Sequence, residues 1–318
     1  MPRLYKIKNG VLTEEYQTKD TPNQMIIDAD WIDAHNLSLE ERSQLQTLLL
    51  TELPKSIDVE EIEASARYFA DQNGIHVHSL FLAQSEGDLH TISVAFILQP
   101  ERLITLRDGL DLADFRLLRM RARQKQVEVA TPKALLITIF EQKVENLADG
   151  IEDIFGGLER VSHQILKEDN ADYEDAIDQL TRLEDSNGKI RLCLMDTQRS
   201  MAFLQRHLRD ERELHEITHD IMRDMNILLS HTTFLFDKIN FLMDAAMGFI
   251  NIEQNKIIKT FSIAAVVFMP PTLIASIYGM NFKHIPELKW LWGYPGSLAI
   301  MVLSGIAPYW LFKRKGWL

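Results

Sequence analysis

Residues 260–282, TFSIAAVVFMPPTLIASIYGMNF, form an uncharged run of 23 residues that ends in Gly279-Met280-Asn281. A bilayer-spanning helix needs roughly 20 apolar residues at about 1.5 Å rise each, so this run is long enough to cross. Its interior nevertheless carries Thr272, Ser276 and the pair Pro270-Pro271. Hydroxyls and the carbonyls freed by proline need partners that hydrocarbon does not supply. One face of such a helix is expected to meet water or another chain.

The 318-residue length is enough for about two domains of ordinary size. The start, MPRLYKIKNG, is polar and has no signal-peptide pattern. The single cysteine, Cys193, rules out an internal disulfide framework and reads as a packed residue in the apolar stretch RLCLM. Net charge is -12, but residues 251–318 hold seven Lys/Arg against two acids, leaving -17 on the first 250 residues. An acidic body joined to a basic apolar end argues against a nucleic-acid partner and favours interaction with cations.

Residues 1–130 read as a mixed α/β domain. Leu4–Lys8 and Val11–Tyr16 flank Asn9-Gly10, a hairpin signal because both residues tolerate positive φ. A strand is expected over Ile26–Ile32, a helix from the capping box Ser38-Leu39-Glu40-Glu41 to about Leu50, and a short helix over Val59–Phe69. Strands are expected at Ile75–Ala83, Leu89–Leu98 and Leu103–Arg107, arranged antiparallel with helices covering them. His76 and His78 share one strand face, a spacing that serves either a metal or the polar side of a half-buried strand.

Residues 131–259 read as a long helical hairpin followed by a stalk. Thr131-Pro132 opens a helix to about Lys167, with apolar positions at Leu135, Ile139, Val144, Leu147, Ile151, Ile154 and Leu158. A turn over Glu168–Asp172 leads to a second helix, Tyr173 to about Leu208, weakened in its middle by Asn187-Gly188. From near Asp210, Ile221, Met225, Leu228, Thr232, Leu235, Ile239, Leu242, Ala246 and Phe249 alternate steps of four and three. Nothing interrupts this pattern before the prolines. It predicts one helix of about 70 residues and about 100 Å entering the bilayer, an element that calls for a homo-oligomer.

Residues 283–289 are a short loop, and residues 290–312 form a second uncharged run of 23. Trp290, Trp292 and Tyr294 mark one interface of this second span, and Tyr309 and Trp310 mark the other, before the basic tail 313–318 with Lys313, Arg314 and Lys315. Lys256 and Lys259 precede the first span. The positive-inside rule places both termini in the cytoplasm and the loop outside, making a multi-pass plasma-membrane (inner-membrane) protein.

Two spans enclose nothing, so a pore would lie on the symmetry axis of several copies. Counting back from Ser276 by fours and threes gives Thr272, Met269, Ala265, Ser262, Ile258, Asn255, Asn251, Gly248 and Asp244. This face is small or polar for most of its length, whereas Ile263, Val267, Ile274 and Ile277 fall elsewhere. Rings of neutral oxygens suit hydrated Mg²⁺, which dehydrates reluctantly. A dry small-residue helix interface is the other use of such a face.

Tyr278-Gly279-Met280-Asn281, Pro286-Glu287-Leu288, Trp292-Gly293-Tyr294-Pro295 and the terminal Lys-Arg-Lys resemble the CorA family of magnesium channels. The likeness extends back through Met269-Pro270-Pro271-Thr272 to Ala246-Met247-Gly248-Phe249-Ile250-Asn251. It implies an α+β cytoplasmic domain, a long helical stalk, two C-terminal transmembrane helices, and a homopentameric funnel in the bilayer. It also implies Gly279, Met280 and Asn281 as the selectivity filter at the outer mouth. Counting back from Asn281 carries over Ser276, Thr272, Met269, Ile258 and Asn255 as pore positions, with Asp244 deeper in the funnel. The family closes when cytoplasmic Mg²⁺ sits between neighbouring funnels. By the same count Asp220 is the stalk acid of that site, and Glu86 or Asp88 its partner. Mg²⁺ is thus expected as both cargo and regulator, with Co²⁺ and Ni²⁺ as further cargo, and zinc-type or proton-coupled transport as the alternative. One departure stands at the mouth: Lys283 occupies a position often acidic in the family, leaving Glu287 as the loop's sole acid.

His215-Glu216-Ile217-Thr218-His219 matches H-E-x-x-H, which on a helix sets two imidazoles to hold Zn²⁺ with Glu as general base. A membrane-bound zinc protease is therefore the competing reading. Catalytic zinc needs a third protein ligand, and between 220 and 252 the sequence offers only His231 and no Glu. The flanking Glu213 and Asp220 mark a solvated segment, so no enzyme is expected.

Overall fold

The structure, a computed structural model, describes residues 2–15, 23–51, 53, 67–85, 87–167, 171–208, 211–280 and 286–316. They divide into two compact units, Met1–Met243 and Asp244–Leu318, and the division falls inside the longest helix.

The first unit is built on a seven-stranded sheet. Its strands are β1 (Arg3–Lys8), β2 (Val11–Glu15), β3 (Trp31–His35), β4 (Tyr68–Asp71), β5 (Gly74–Ser85), β6 (Asp88–Leu98) and β7 (Leu103–Arg107). Their spatial order is β2-β1-β3-β7-β6-β5-β4. All neighbours are antiparallel except β3 and β7, which pair in parallel from Trp31 opposite Leu103 to His35 opposite Arg107. Asn9 and Gly10 both take positive φ, 54° and 77°, and close the β1–β2 hairpin as their residue types require.

Side chains alternate across the sheet, so each strand feeds two cores. On one face Leu4, Ile32, Ala95, Ile97 and Ile104 pack with Leu45 of α2 (Leu39–Leu49). Met25 and Ile26 of α1 (Asn23–Asp28) lie against the same cluster. On the other face Tyr5 stacks on Trp31 at 4.4 Å, and Phe81, Phe96, Phe115 and Phe140 continue an aromatic layer. Phe115 comes from α3 (Ala113–Arg123) and Phe140 from α4 (Pro132–Lys167). Each fully buried ring contributes roughly 1.5–3 kcal/mol.

Several expectations are corrected. Residues 26–28 are helical, and the strand begins only at Trp31. Asp30 marks the boundary, its carboxylate accepting from the Ile7 amide at 2.6 Å and so tying the chain to β1. Tyr68 and Phe69 belong to β4 and not to a helix, because they pair with Val77 and His76; the rest of the expected 59–69 helix lies outside the described residues, apart from Arg67. Asn187-Gly188 does not weaken α5 (Tyr173–His207): the Asn187 amide is buried and donates to the Thr232 carbonyl at 2.9 Å. His76 and His78 are buried, not the wet side of a strand. His76 stacks on Phe69 and pairs with Asp71 at 3.2 Å, while burial pushes the His78 imidazole down to about 4. The expected turn at 168–172 falls mostly outside the described residues.

The helical hairpin forms as expected, with α4 and α5 closely packed. Gly150 and Gly157 are the notches: a Cβ there would come within 2.9 Å of Ile190 and 2.8 Å of Leu183. The hairpin is fixed to the sheet by buried polar groups. Lys143 Nζ donates to Ser79 Oγ at 2.9 Å and lies 4.3 Å above the Phe81 ring. Asp196 accepts from Ser79 Oγ at 2.7 Å, from the Leu80 amide at 2.8 Å and from Arg67. Burial holds the Lys143 ammonium below its ordinary range against the pull of Asp196. A second buried pair joins Asp33 of β3 to Arg107 of β7.

Helix α6 (Arg212–Tyr278) runs 67 residues without a break, through both prolines. In the first unit Ile221, Met225, Thr232, Leu235, Ile239 and Leu242 are buried and Leu228 is half-buried, so the heptad-like stripe is the packed side.

Candidate ion pathway

The second unit consists of the C-terminal half of α6, a 3-10 turn at Pro286–Lys289 and α7 (Gly293–Arg314). Both helices are long and apolar enough to cross a membrane, and almost nothing in their apolar windows is buried within the chain. The structure gives α6 two unlike sides here. Ile263, Ala264, Val267, Pro270, Pro271, Ile274 and Tyr278 are half-buried, and Val267, Pro271 and Tyr278 line grooves shared with α7. Asp244, Asn255, Ile258, Ser262, Ala265, Met269, Thr272 and Ser276 are exposed. Ile258 and Met269 keep 61% and 66% of their surface open, as do Phe261, Phe268 and Leu273 at 72%, 68% and 61%, so the single chain covers only the side of α6 toward α7.

Local chemistry explains part of this arrangement. Proline has no amide hydrogen, so Pro270 and Pro271 leave the carbonyls of Val266 and Val267 without their helical donors. Helix α7 approaches there through Gly305, where a Cβ would lie 3.6 Å from the Val267 oxygen and 3.3 Å from Pro271 Cγ. On the open side the Thr272 hydroxyl donates to the Phe268 carbonyl at 2.7 Å. Its hydrogen is thus used within the helix, and its lone pairs point outward as acceptors. That polarity matches the water shell of a cation, whose hydrogens face away from the metal.

Just past the end of α6, Gly279 and Met280 are exposed, with the Gly279 amide donating to the Ala275 carbonyl. Asn281, Lys283 and His284 lie outside the described residues, as does the side chain of Glu287 in the 3-10 turn. Lys313 and Arg314 close α7 and Lys315 caps it, all three exposed.

Of the acids assigned to regulation, Asp88 opens β6 opposite Ser85 and is exposed, and Glu86 lies outside the described residues. Asp220 is exposed on α6, 3.6 Å from Arg223. Among the described residues of a single chain, no three His, Cys, Asp or Glu come together to hold a metal. The His215-Glu216-Ile217-Thr218-His219 segment is helical, with Glu216 and His219 exposed, and it gathers no third ligand among the described residues. What sequence reasoning missed is the buried Lys143–Ser79–Asp196 group. The available signal was a lysine standing in the apolar stripe between Phe140 and Leu147.

Residues 28–314 match the family model described as CorA-like Mg2+ transporter protein. The chain is 49% identical to the magnesium transport protein CorA of Salmonella typhimurium over 298 residues, 93% of this chain and 94% of the relative. It is 46% identical over 320 residues to the protein of that name from Escherichia coli K12, covering all of both chains. Among solved structures it superposes on the complete CorA magnesium transporter of Methanocaldococcus jannaschii with a TM-score of 0.78 at 18% identity, covering 100% of this chain and 99% of the other. Full-length matches at this identity, joined to the α+β unit, the long helix and the apolar C-terminal helix, establish that the chain belongs to the CorA-like Mg²⁺ transporter family.

Proposed function

We propose that this protein carries Mg²⁺ across the cell's inner (plasma) membrane through a pore on the axis of a homopentamer, with α6 as the lining helix and both termini in the cytoplasm. The observation that carries the reading is the two-sidedness of α6. The face from Asn255 to Ser276 is, apart from Ile258, small, polar or thioether-bearing and is left open by its own chain, while the opposite side packs toward α7. In five copies the open face supplies rings of amide, hydroxyl and thioether groups to a hydrated ion. Gly279, Met280 and Asn281 form the outer filter, where amide oxygens accept from the ion's waters. An interior-negative potential favours entry by about 2.3 kcal/mol per charge per 100 mV, twice that for a divalent ion, so no energy source beyond the potential is required.

Closure follows when cytoplasmic Mg²⁺ bridges Asp220 of one copy to Asp88 or Glu86 of the next. The exposure of Asp220 and Asp88 in the single chain supports this, since a site shared between copies leaves each half open. Co²⁺ and Ni²⁺ pass by the same path, being divalent ions of similar size and hydration. Lys283 weakens attraction at the mouth without altering the amide ring. The test is uptake of Mg²⁺ by proteoliposomes holding the purified full chain under an imposed interior-negative potential. Uptake that His215→Ala leaves intact supports transport; absence of uptake refutes it.

A further inference from the structure

The helices of the second unit run antiparallel in a definite register. Val267 and Pro271 face Gly305, and Ala275 and Tyr278 line one groove with Ser297 and Tyr294. Continued along both helices, this register sets Lys259 level with Lys315 and about half a turn from Lys313, with Lys256 about one turn further along α6. All five basic residues, Lys256, Lys259, Lys313, Arg314 and Lys315, are exposed. Two helices therefore contribute to one cationic collar, and the nearest acid on either helix is Glu253, about a turn beyond Lys256. Arg314 lies 5.5 Å over the Trp310 ring, which fixes its guanidinium at the aromatic level.

An apolar groove of about 360 Å³ begins one helical turn below the collar, lined by Val267, Phe268, Pro271, Val302, Gly305 and Tyr309 among others. Gly305 opens it by presenting no side chain to Pro271. Tyr309, at the end nearest Lys313, brings a hydroxyl to the level where a lipid's polar group begins. An open, shallow apolar groove ending in concentrated positive charge is complementary to one class of molecule, an anionic lipid with its acyl chain along the groove.

We propose that this groove and collar bind an anionic phospholipid, the acyl chain lying against Val267, Val302 and Gly305 and the phosphate held by Lys259 and Lys313. The inference rests on the membrane placement proposed above but not on which ion is carried. A zwitterionic lipid fills the groove equally well but gains less from the collar, because its own ammonium cancels the phosphate charge.

Native mass spectrometry of the full chain, released from neutral detergent after incubation with phosphatidylglycerol or phosphatidylcholine of the same acyl composition, tests this. The wild-type chain retains phosphatidylglycerol in preference. Lys259→Gln with Lys313→Gln weakens that retention roughly 30-fold at low ionic strength, at about 1 kcal/mol per basic residue, and leaves phosphatidylcholine unchanged. Val302→Trp, which fills an exposed part of the groove, weakens retention of both lipids. Equal retention of the two lipids, or no effect of the lysine substitutions, overturns the proposal. So does displacement by inorganic phosphate at equal concentration, which marks a free-anion site. Val302→Cys chains that cross-link to one another through residue 302 also overturn it, since a second copy then occupies the groove. Lipid preference without Mg²⁺ uptake supports the lipid site and refutes the ion reading; uptake without lipid preference does the reverse.

Discussion

Gly305 of α7 stands directly against Pro271 of α6, so that a Cβ at residue 305 would lie 3.3 Å from the proline ring. The proline has given up a helical hydrogen bond, and the glycine has given up a side chain, at the same level. Each makes room for the other, and the contact sets how closely the two helices approach.

Enlarging that glycine should separate the helices. Gly305→Leu is expected to destabilise the detergent-solubilised protein by about 1–3 kcal/mol through overpacking, and Gly305→Ala by less, because a few tenths of an ångström of give suffices for a methyl group. Thermal unfolding of the three proteins in one detergent checks the order. Equal midpoints for all three would show that residue 305 is not at a packed contact.

Burial pushes the Asp114 carboxyl up to about 6, the nearby Lys143 charge only partly opposing it. Its folded-state value lies above the unfolded one near 3.8. The stability it contributes as a neutral acid is therefore complete below pH 4 and is lost as pH rises through about 6. At pH 8 the ionised, buried group is a net cost of at most about 3 kcal/mol. Asp114→Asn should raise the unfolding midpoint at pH 8 and leave it nearly unchanged at pH 4. A substitution whose effect is the same at both pH values would contradict the assignment.

Asp220 is exposed and its nearest cation is Arg223 of its own helix, so reversing its charge disturbs little within one chain. On the gating proposed above, the unsubstituted protein should close at millimolar Mg²⁺ on the cytoplasmic side and Asp220→Lys should keep conducting there. Flux from Mg²⁺-loaded vesicles, compared with and without the substitution, measures this. Normal closure would place the regulatory cation elsewhere.

Most of the helical architecture was legible in the sequence because long amphipathic helices repeat their signal many times. Seven apolar positions from Leu135 to Leu158 locate α4, and all seven are buried. The Asn9-Gly10 turn and the Ser38 capping box were readable for a different reason, since each is a local conformation that few residue types permit. Short apolar runs were not legible in that way. Met25-Ile26-Ile27 fits one helical turn or a strand equally well, and only contact with the core cluster around Leu45 decides. The parallel pairing of β3 with β7 joins segments 72 residues apart and leaves no local mark. The buried partners of Lys143, Ser79 and Asp196, lie 64 and 53 positions away from it and become neighbours only after the hairpin docks. The exposed residues of α6 could be counted out from Ser276 because an unbroken helix preserves its spacing. The mouth residue Asn281 rests on the family motif, which a single chain's packing does not reach.

The most direct measurement is Mg²⁺ flux into proteoliposomes for the Asn281→Ala protein beside the unsubstituted one, with oligomer size checked by light scattering. The ion-pathway account predicts an intact oligomer that no longer carries Mg²⁺. Undiminished flux through an intact Asn281→Ala oligomer would contradict it.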